Sequence, residues 1–257
     1  MEMITSRTNP LCTHFRKLAS SKAYREETGE FLCDSPKLLE EAGLWRAGVR
    51  TVLYTEGADV SQAPEGCRLV PVSQGVMKAV SPMETPQGVV FSCAIPRSGP
   101  PEALEPDEKG RQRYLLLEGV QDPGNVGTML RTADAFGWRV FLLPGCAGLY
   151  NPKTVRAAMG VHFRRAIYRD TLDHAAAMVR AAGLPLYAAA LAEDTADLRR
   201  TDLRRCAVII GSEGRGVSRE ALALCDRTVK IPMDHTCESL NAAAAAAVVL
   251  WEGARND

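Results

Sequence analysis

The chain has no apolar run long enough to cross a bilayer. The nearest candidate, Ala242–Leu250, falls short of the roughly 20 residues that a spanning helix needs. Its opening stretch, MEMITSRTNPLCTHFRKL, has no apolar core of the kind a secretory signal requires, so a cytoplasmic location and no membrane partner are expected. Net charge is also lacking: 31 Lys and Arg balance 31 Asp and Glu, so no global field draws the protein onto nucleic acid, and any such contact has to come from a local patch. The eight cysteines stand at 12, 33, 67, 93, 146, 206, 225 and 237. None forms a CxxC pair and no histidine sits at ligand spacing from a pair, which argues against a metal site. A chain without a disulfide-scaffold composition is expected to carry reduced thiols. The GxGxxG fingerprint is missing from the first strand–helix unit, against a nucleotide-dependent oxidoreductase.

What is present divides the chain in two. Residues 1–95 mix a basic amphipathic segment, Leu11–Tyr24, with a helix Pro36–Ala42 that has Ser35 as N-cap, Pro36 at its first position and Gly43 after its end. Short strands are expected at Thr51–Thr55, Arg68–Pro71 and Val89–Ser92. Arg7, Arg16, Lys17, Lys22 and Arg25 crowd the first 25 residues against one acid, Glu2. They read either as a solvated helix face or as an RNA-binding patch. Residues 96–112, with four prolines and two glycines, read as an extended linker.

From 113 to 257 strands and helices alternate, the pattern of a largely parallel α/β sheet. Strands are expected at Tyr114–Glu118, Arg139–Leu143, Arg164–Tyr168, Leu186–Ala190, Ala207–Gly211 and Thr228–Ile231. Helices are expected at Val126–Phe136, Pro152–Met159, Leu172–Ala182, Ser218–Cys225 and Ser239–Glu252. Three stretches carry a strand, a tight loop and a helix start: Leu117–Gly137 (LEGVQDPGNVGTMLRTADAFG), Val208–Glu220 (VIIGSEGRGVSRE) and Val229–Glu252 (VKIPMDHTCESLNAAAAAAVVLWE). Such loops leave helix N-termini and backbone groups free at the strand ends, where open α/β sheets bind ligands. In the first, Asp122-Pro123-Gly124-Asn125 is a turn and Asn125 can cap the helix that follows. Val126, Met129, Leu130, Ala133 and Phe136 make that helix's apolar face, with Arg131 on the opposite side. In the second, glycines let a ligand approach the backbone. In the third, Ser239 is a fitting N-cap and six alanines, Ala242–Ala247, make a slim helix.

In order, composition and spacing these stretches resemble the three motifs of the SpoU/TrmH family, within the SPOUT superfamily of RNA methyltransferases. The resemblance extends more softly to the first half, through Ser6-Arg7-Thr8-Asn9-Pro10, Lys17-Leu18, Arg25, Phe31-Leu32 and Ser81–Val90, which look like the family's RNA-substrate-binding domain. It implies an N-terminal ribosomal-protein-like α/β domain (1–95), a linker (96–112) and a C-terminal SPOUT α/β domain (113–257) with a parallel sheet and a trefoil knot. It implies a homodimer whose sites form at the subunit interface, and S-adenosylmethionine (SAM) as cofactor. Arg131 would be the leading catalytic residue, with Asn125, Glu213, Ser239 and Asn241 positioning the substrate. Gly211, Gly214, Gly216, Ile231, Met233, Ser239 and Leu240 would hold SAM. Arg7, Arg16, Lys17, Lys22 and Arg25, with Lys153 and Arg156 on one helix face, would contact RNA. The implied reaction is methylation of a ribose 2′-hydroxyl, with ribosomal RNA the favoured substrate and transfer RNA, or a non-catalytic RNA-binding role, the alternatives. The chain departs from the family at His235, where many members have glycine.

Overall fold

The computed structural model describes residues 2–96, 99–192, 195–234, 236, 239–255 and 257. His235 lies outside them. The chain forms two compact units, Met1–Arg97 with Gly148–Arg164, and Ser98–Ala147 with Arg165–Asp257.

The first unit carries a four-stranded sheet in the order β1(Glu30–Asp34)-β4(Val89–Ala94)-β2(Val49–Tyr54)-β3(Arg68–Pro71). β4 pairs antiparallel with β1 and β2, and β2 pairs parallel with β3. One face packs on α1(Pro10–Ser20) and α4(Gln74–Val80) through Phe15, Leu18, Val76 and Met77. The other packs on α3(Pro36–Leu44) through Leu38, Leu39 and Ala42, and on α6(Pro152–Ala157) through Val155. That contact assigns α6 and α7(Val161–Arg164) to this unit, although their sequence pattern continues that of the second half.

The basic segment is two helices. Ser21 ends α1 with its N–H on the Lys17 carbonyl at 2.9 Å and starts α2(Lys22–Thr28) by accepting from the Tyr24 N–H at 3.1 Å. Ser35 caps α3 as expected, but Gly43 lies inside the helix. The Gln62 carbonyl oxygen occupies the space a Cβ would need there, and the left-handed residue just past the helix is Arg46, φ 49°.

The second unit holds a seven-stranded parallel sheet in the order β7(Ile167–Arg169)-β6(Arg139–Leu142)-β5(Gln112–Leu117)-β10(Arg205–Ile210)-β8(Leu186–Ala189)-β11(Arg227–Lys230)-β9(Ala196–Asp197). β5 is buried along its whole length, as expected of a central parallel strand covered on both faces. α8(Leu172–Ala181) and α9(Arg219–Leu224) cover one face through Ala175, Ala176, Val179 and Ala221 against Tyr114, Leu116 and Ile209. From the opposite pleat, the buried Arg113 reaches the Gly253 carbonyl of α10(Ala242–Ala254), which packs beside α5(Pro123–Ala135). Arg164 ends α7 rather than starting β7. The linker segment is tied down where described: Leu104 is buried, its carbonyl accepts from Gln112 Nε2 at 2.8 Å, and Asp107 holds Arg111 at 2.7 Å.

Candidate active site

The loops after β5, β10 and β11 converge at the carboxyl ends of the parallel strands. After β5 the cap of α5 is Asp122, whose Oδ1 accepts the Asn125 N–H at 2.7 Å, with Pro123 at the first helical position. Asn125 is therefore not the cap. It stands in the first turn, and its side chain is not used by the helix. The third loop shows the same displacement: α10 is capped by Asn241, not Ser239, and Asn241 Oδ1 accepts the Ala243 and Ala244 N–H groups at 2.9 and 3.2 Å.

These freed groups join in one chain. Glu213 Oε1 accepts from Asn125 Nδ2 at 2.9 Å, and Asn125 Oδ1 accepts from Asn241 Nδ2 at 3.3 Å. The chemistry leaves a single arrangement. An ionised carboxylate only accepts, so it faces the Asn125 amide nitrogen. Asn125 then offers its oxygen to Asn241, whose own oxygen is already taken by the helix N-terminus. The three loops are thus linked through one side chain from each. Glu213 Oε2 also accepts the Gln121 N–H at 3.3 Å. Burial pushes the Glu213 carboxyl up, but the hydrogen bonds from Asn125 and from backbone groups outweigh it and hold the group below its ordinary range.

Beside this chain lies a cleft of about 430 Å³. One wall is the Gly211–Val217 turn, where Ser212 and Gly216 exchange both backbone hydrogen bonds at 3.1 and 2.9 Å. A Cβ on Gly211 would collide with the Gly216 carbonyl group and the Val217 nitrogen, so only glycine fits. The turn is braced from behind: Glu118, at the end of β5, accepts the Ser218 N–H at 3.0 Å and its hydroxyl at 2.7 Å. The other walls are apolar, including Ile231, Met233, Leu240, Ala245 and Val249. Leu191 is 70% exposed and Leu240 38% exposed at the lining, apolar surface left open to solvent. A glycine cradle with backbone groups beside aliphatic walls fits the adenosine and methionine parts of SAM.

Every residue expected to hold the cofactor lies in this lining: Gly211, Gly214, Gly216, Ile231, Met233, Ser239 and Leu240. Glu213 lines it too, and Asn125 and Asn241 adjoin it through the hydrogen-bond chain. Arg131 does not join them. It is exposed on α5, outside the lining, with no hydrogen bond or ion pair among the described residues. Sequence reasoning missed Leu191, Leu198, Arg215 and Lys230 as lining residues. The Arg215 position was visible only as a member of the glycine-rich string. Burial pushes the thiol of Cys146, close to Glu118 and Glu213, up to about 11, which disfavours its thiolate.

Of the cations expected to meet RNA, Arg7, Arg16, Lys17, Lys22, Lys153 and Arg156 are exposed. Arg25 is a correction. It is 6% exposed and donates to the Leu18 carbonyl at 2.7 Å, closing the α1–α2 junction, so it is structural. Lys17 lies over the Tyr24 ring at 5.2 Å. Arg156 faces Asp34, whose carboxyl burial pushes up against the pull of that charge.

Residues 112–251 match the SpoU rRNA Methylase family, and residues 9–90 match the MRM3-like substrate binding domain. The chain is 33% identical to the 23S rRNA (guanosine(2553)-2′-O)-methyltransferase of Bacillus subtilis, covering 98% of both chains. It is 31% identical to the 23S rRNA (uridine(2479)-2′-O)-methyltransferase of Streptomyces viridochromogenes, over 98% of this chain and 91% of that one. The crystal structure of an AdoMet-bound rRNA methyltransferase from Sinorhizobium meliloti superposes with a TM-score of 0.87 at 28% identity, covering 99% and 98%.

Proposed function

The chain belongs to the SpoU rRNA methylase family, and from that premise we propose that it transfers a methyl group from SAM to a ribose 2′-hydroxyl of ribosomal RNA. The observation that carries the reading is the Glu213–Asn125–Asn241 chain beside the cleft, because it links all three motif loops at one point. Relatives that act on two different nucleotides of 23S rRNA, matched over at least 91% of each chain, support ribosomal over transfer RNA.

When bound, SAM supplies a methyl already activated on a sulfonium, so the protein's task is alignment and charge. Gly211 and its turn, with Ile231 and Leu240, would hold the adenosine end. Asn125, fixed in orientation by Glu213, and Asn241 hold the ribose edge; Ser239 lines the same rim. A 2′-hydroxyl is a weak nucleophile, and its oxygen gains charge as its proton passes to solvent water. Arg131 stabilises that oxygen and orients the adjoining phosphate; a guanidinium stays charged, so this role suits it better than that of a base.

Arg131 reaches this site from a second copy of the chain. A homodimer is supported by the apolar stripe on α10, where Val248 is 40% and Trp251 53% exposed beside α5. The trefoil knot belongs to the same reading and follows from the family membership. So do the two domains with RNA contacts on the first. A cytoplasmic enzyme suits the free cysteines among the described residues. No helix among them is long and apolar enough to cross a membrane, and they contain no metal-binding cluster.

The test is Arg131→Ala, assayed with unmodified ribosomal RNA and radiolabelled SAM. Turnover is expected to fall by at least about a hundredfold, the scale of removing one charge-stabilising donor, with SAM affinity kept. Full activity would remove Arg131 from the mechanism. Label that digests to a base-methylated nucleotide, rather than an alkali-resistant dinucleotide, would overturn the 2′-O assignment.

A further inference from the structure

Among the described residues the cleft lining contains two cations, Arg215 and Lys230, and one acid, Glu213. Glu213 is committed to Asn125 and the Gln121 N–H. The Arg215 guanidinium has no hydrogen bond or ion pair among the described residues, and the side chain is exposed. By contrast Arg199 and Arg204, on the same unit, each close a salt bridge at 2.6 Å. The turn that carries Arg215 is held at several points: the paired backbone bonds of Ser212 and Gly216, the Arg215 N–H on Ser212 Oγ at 3.2 Å, the Glu213 clamp in front and Glu118 on Ser218 behind. A fork-shaped cation on a rigid turn, unpaired, is arranged for an anion that arrives from outside.

We propose that Arg215 binds a backbone phosphate of the RNA next to the ribose that receives the methyl group. The inference rests on the RNA-methyltransferase reading and adds a contact made by the same chain that holds the cofactor. Two observations favour phosphate over the cofactor's carboxylate. Arg215 stands at the tip of the turn, between the exposed Gly214 and Gly216, two residues from the Glu213 link to Asn125 where the ribose edge is expected. Lys230, at the end of β11 and next to Ile231, is the cation nearer in sequence to the apolar cofactor walls and leaves Arg215 for the polyanion.

The experiment compares wild type, Arg215→Ala, Arg215→Lys and Arg204→Ala. Arg204 removes the same charge at the amino end of β10, a full strand away from the turn. Binding to unmodified, in vitro transcribed large-subunit ribosomal RNA is measured across a salt series, SAM affinity by calorimetry, and methyl transfer with each substrate varied. Losing one phosphate contact should flatten the slope of log Kd against log salt by about 0.7–0.9. Arg215→Ala should lower kcat/KM for RNA about tenfold, as expected for a lost charged hydrogen bond, with SAM affinity within about twofold of wild type. Arg215→Lys should restore the slope but not the full rate, and Arg204→Ala should change neither. An unchanged salt slope overturns the proposal. So does a tenfold loss of SAM affinity, which would make Arg215 the reader of the cofactor's carboxylate. If wild type transfers no methyl to any RNA, the proposed function fails, and the salt slope still decides whether Arg215 touches RNA.

Discussion

Gly211→Ala tests the site at its tightest point. The added methyl would lie inside 3.0 Å of the Gly216 carbonyl carbon and oxygen and of the Val217 nitrogen, all of them backbone. A flexible side chain could swing aside; these atoms cannot, because Ser212 and Gly216 are tied by two hydrogen bonds and Ser218 is held by Glu118. Restoring ordinary contact requires the two arms of the turn to separate by about 1 Å, and a misplacement of that size in a positioned site costs on the order of a hundredfold. The fold should survive, since the turn is at the surface and β10 ends before it. The expected outcome is a loss of SAM affinity of about a hundredfold by calorimetry, with a native circular dichroism spectrum and a melting temperature lowered by only a few degrees. SAM affinity within threefold of wild type would refute the reasoning, because it would mean that the turn is not held as rigidly as its hydrogen bonds imply or that the cofactor does not lie against it.

The brace behind the turn gives a milder prediction: Glu118→Gln replaces an acceptor facing Ser218 with a donor, and SAM affinity should fall about tenfold, the scale of one charged hydrogen bond. Unchanged affinity by calorimetry would show that the Ser218 end of the turn needs no brace. A second prediction concerns acid stability. His162 is 5% exposed, donates through Nε2 to the Leu149 carbonyl at 2.9 Å, leaves Nδ1 without a partner, and lies tilted against the Phe31 and Tyr150 rings. Burial pushes its pKa down to about 4. The unfolded chain takes up that proton near 6.5 while the folded one does not, so the stabilisation is whole above pH 6.5 and drains away as pH falls toward 4. The loss is about 3 kcal/mol over that window, read as the pH dependence of urea unfolding, and His162→Phe should flatten its share. A wild-type curve with no slope between pH 6.5 and 4.5 would show that the imidazole is hydrated.

The parallel sheet was the most legible part of the fold. Its strands lie in a layer covered on both faces, so RYLLL, RVFL and CAVII stand out as short apolar runs between glycine, proline and helix signals. The first half was harder. β1, EFLCD, follows directly on the left-handed Gly29 and resembles the end of a helical segment, and α4 is too short to show a period. The allegiance of α6 and α7 was not legible at all, because Val155 is apolar on a helix whichever sheet it covers; only tertiary packing places it with Leu38 and Phe31. Arg25 misled for a related reason. A cation in a basic run looks solvated unless one knows that the chain bends at Ser21 and turns the Leu18 carbonyl toward it.

The two misplaced helix caps have one physical cause. At α5 the string DPGN offers two cap residues, and at α10 SLN offers two more; local rules rank Asp, Asn and Ser almost equally. Proline decides the first case, since its fixed φ suits the first helical position, which makes Asp122 the cap and puts Asn125 in the first turn. In the second, Asn241 accepts two backbone N–H groups through its oxygen and still has its amide nitrogen for Asn125. Both helices therefore start where an asparagine amide is left over for a contact more than a hundred residues away along the chain or with the acid of a third loop. A local rule sees only the cap and cannot see the residue that needs the remaining donor. That is why it fails here at the site and succeeds at Ser35, whose hydroxyl holds only the Leu38 N–H.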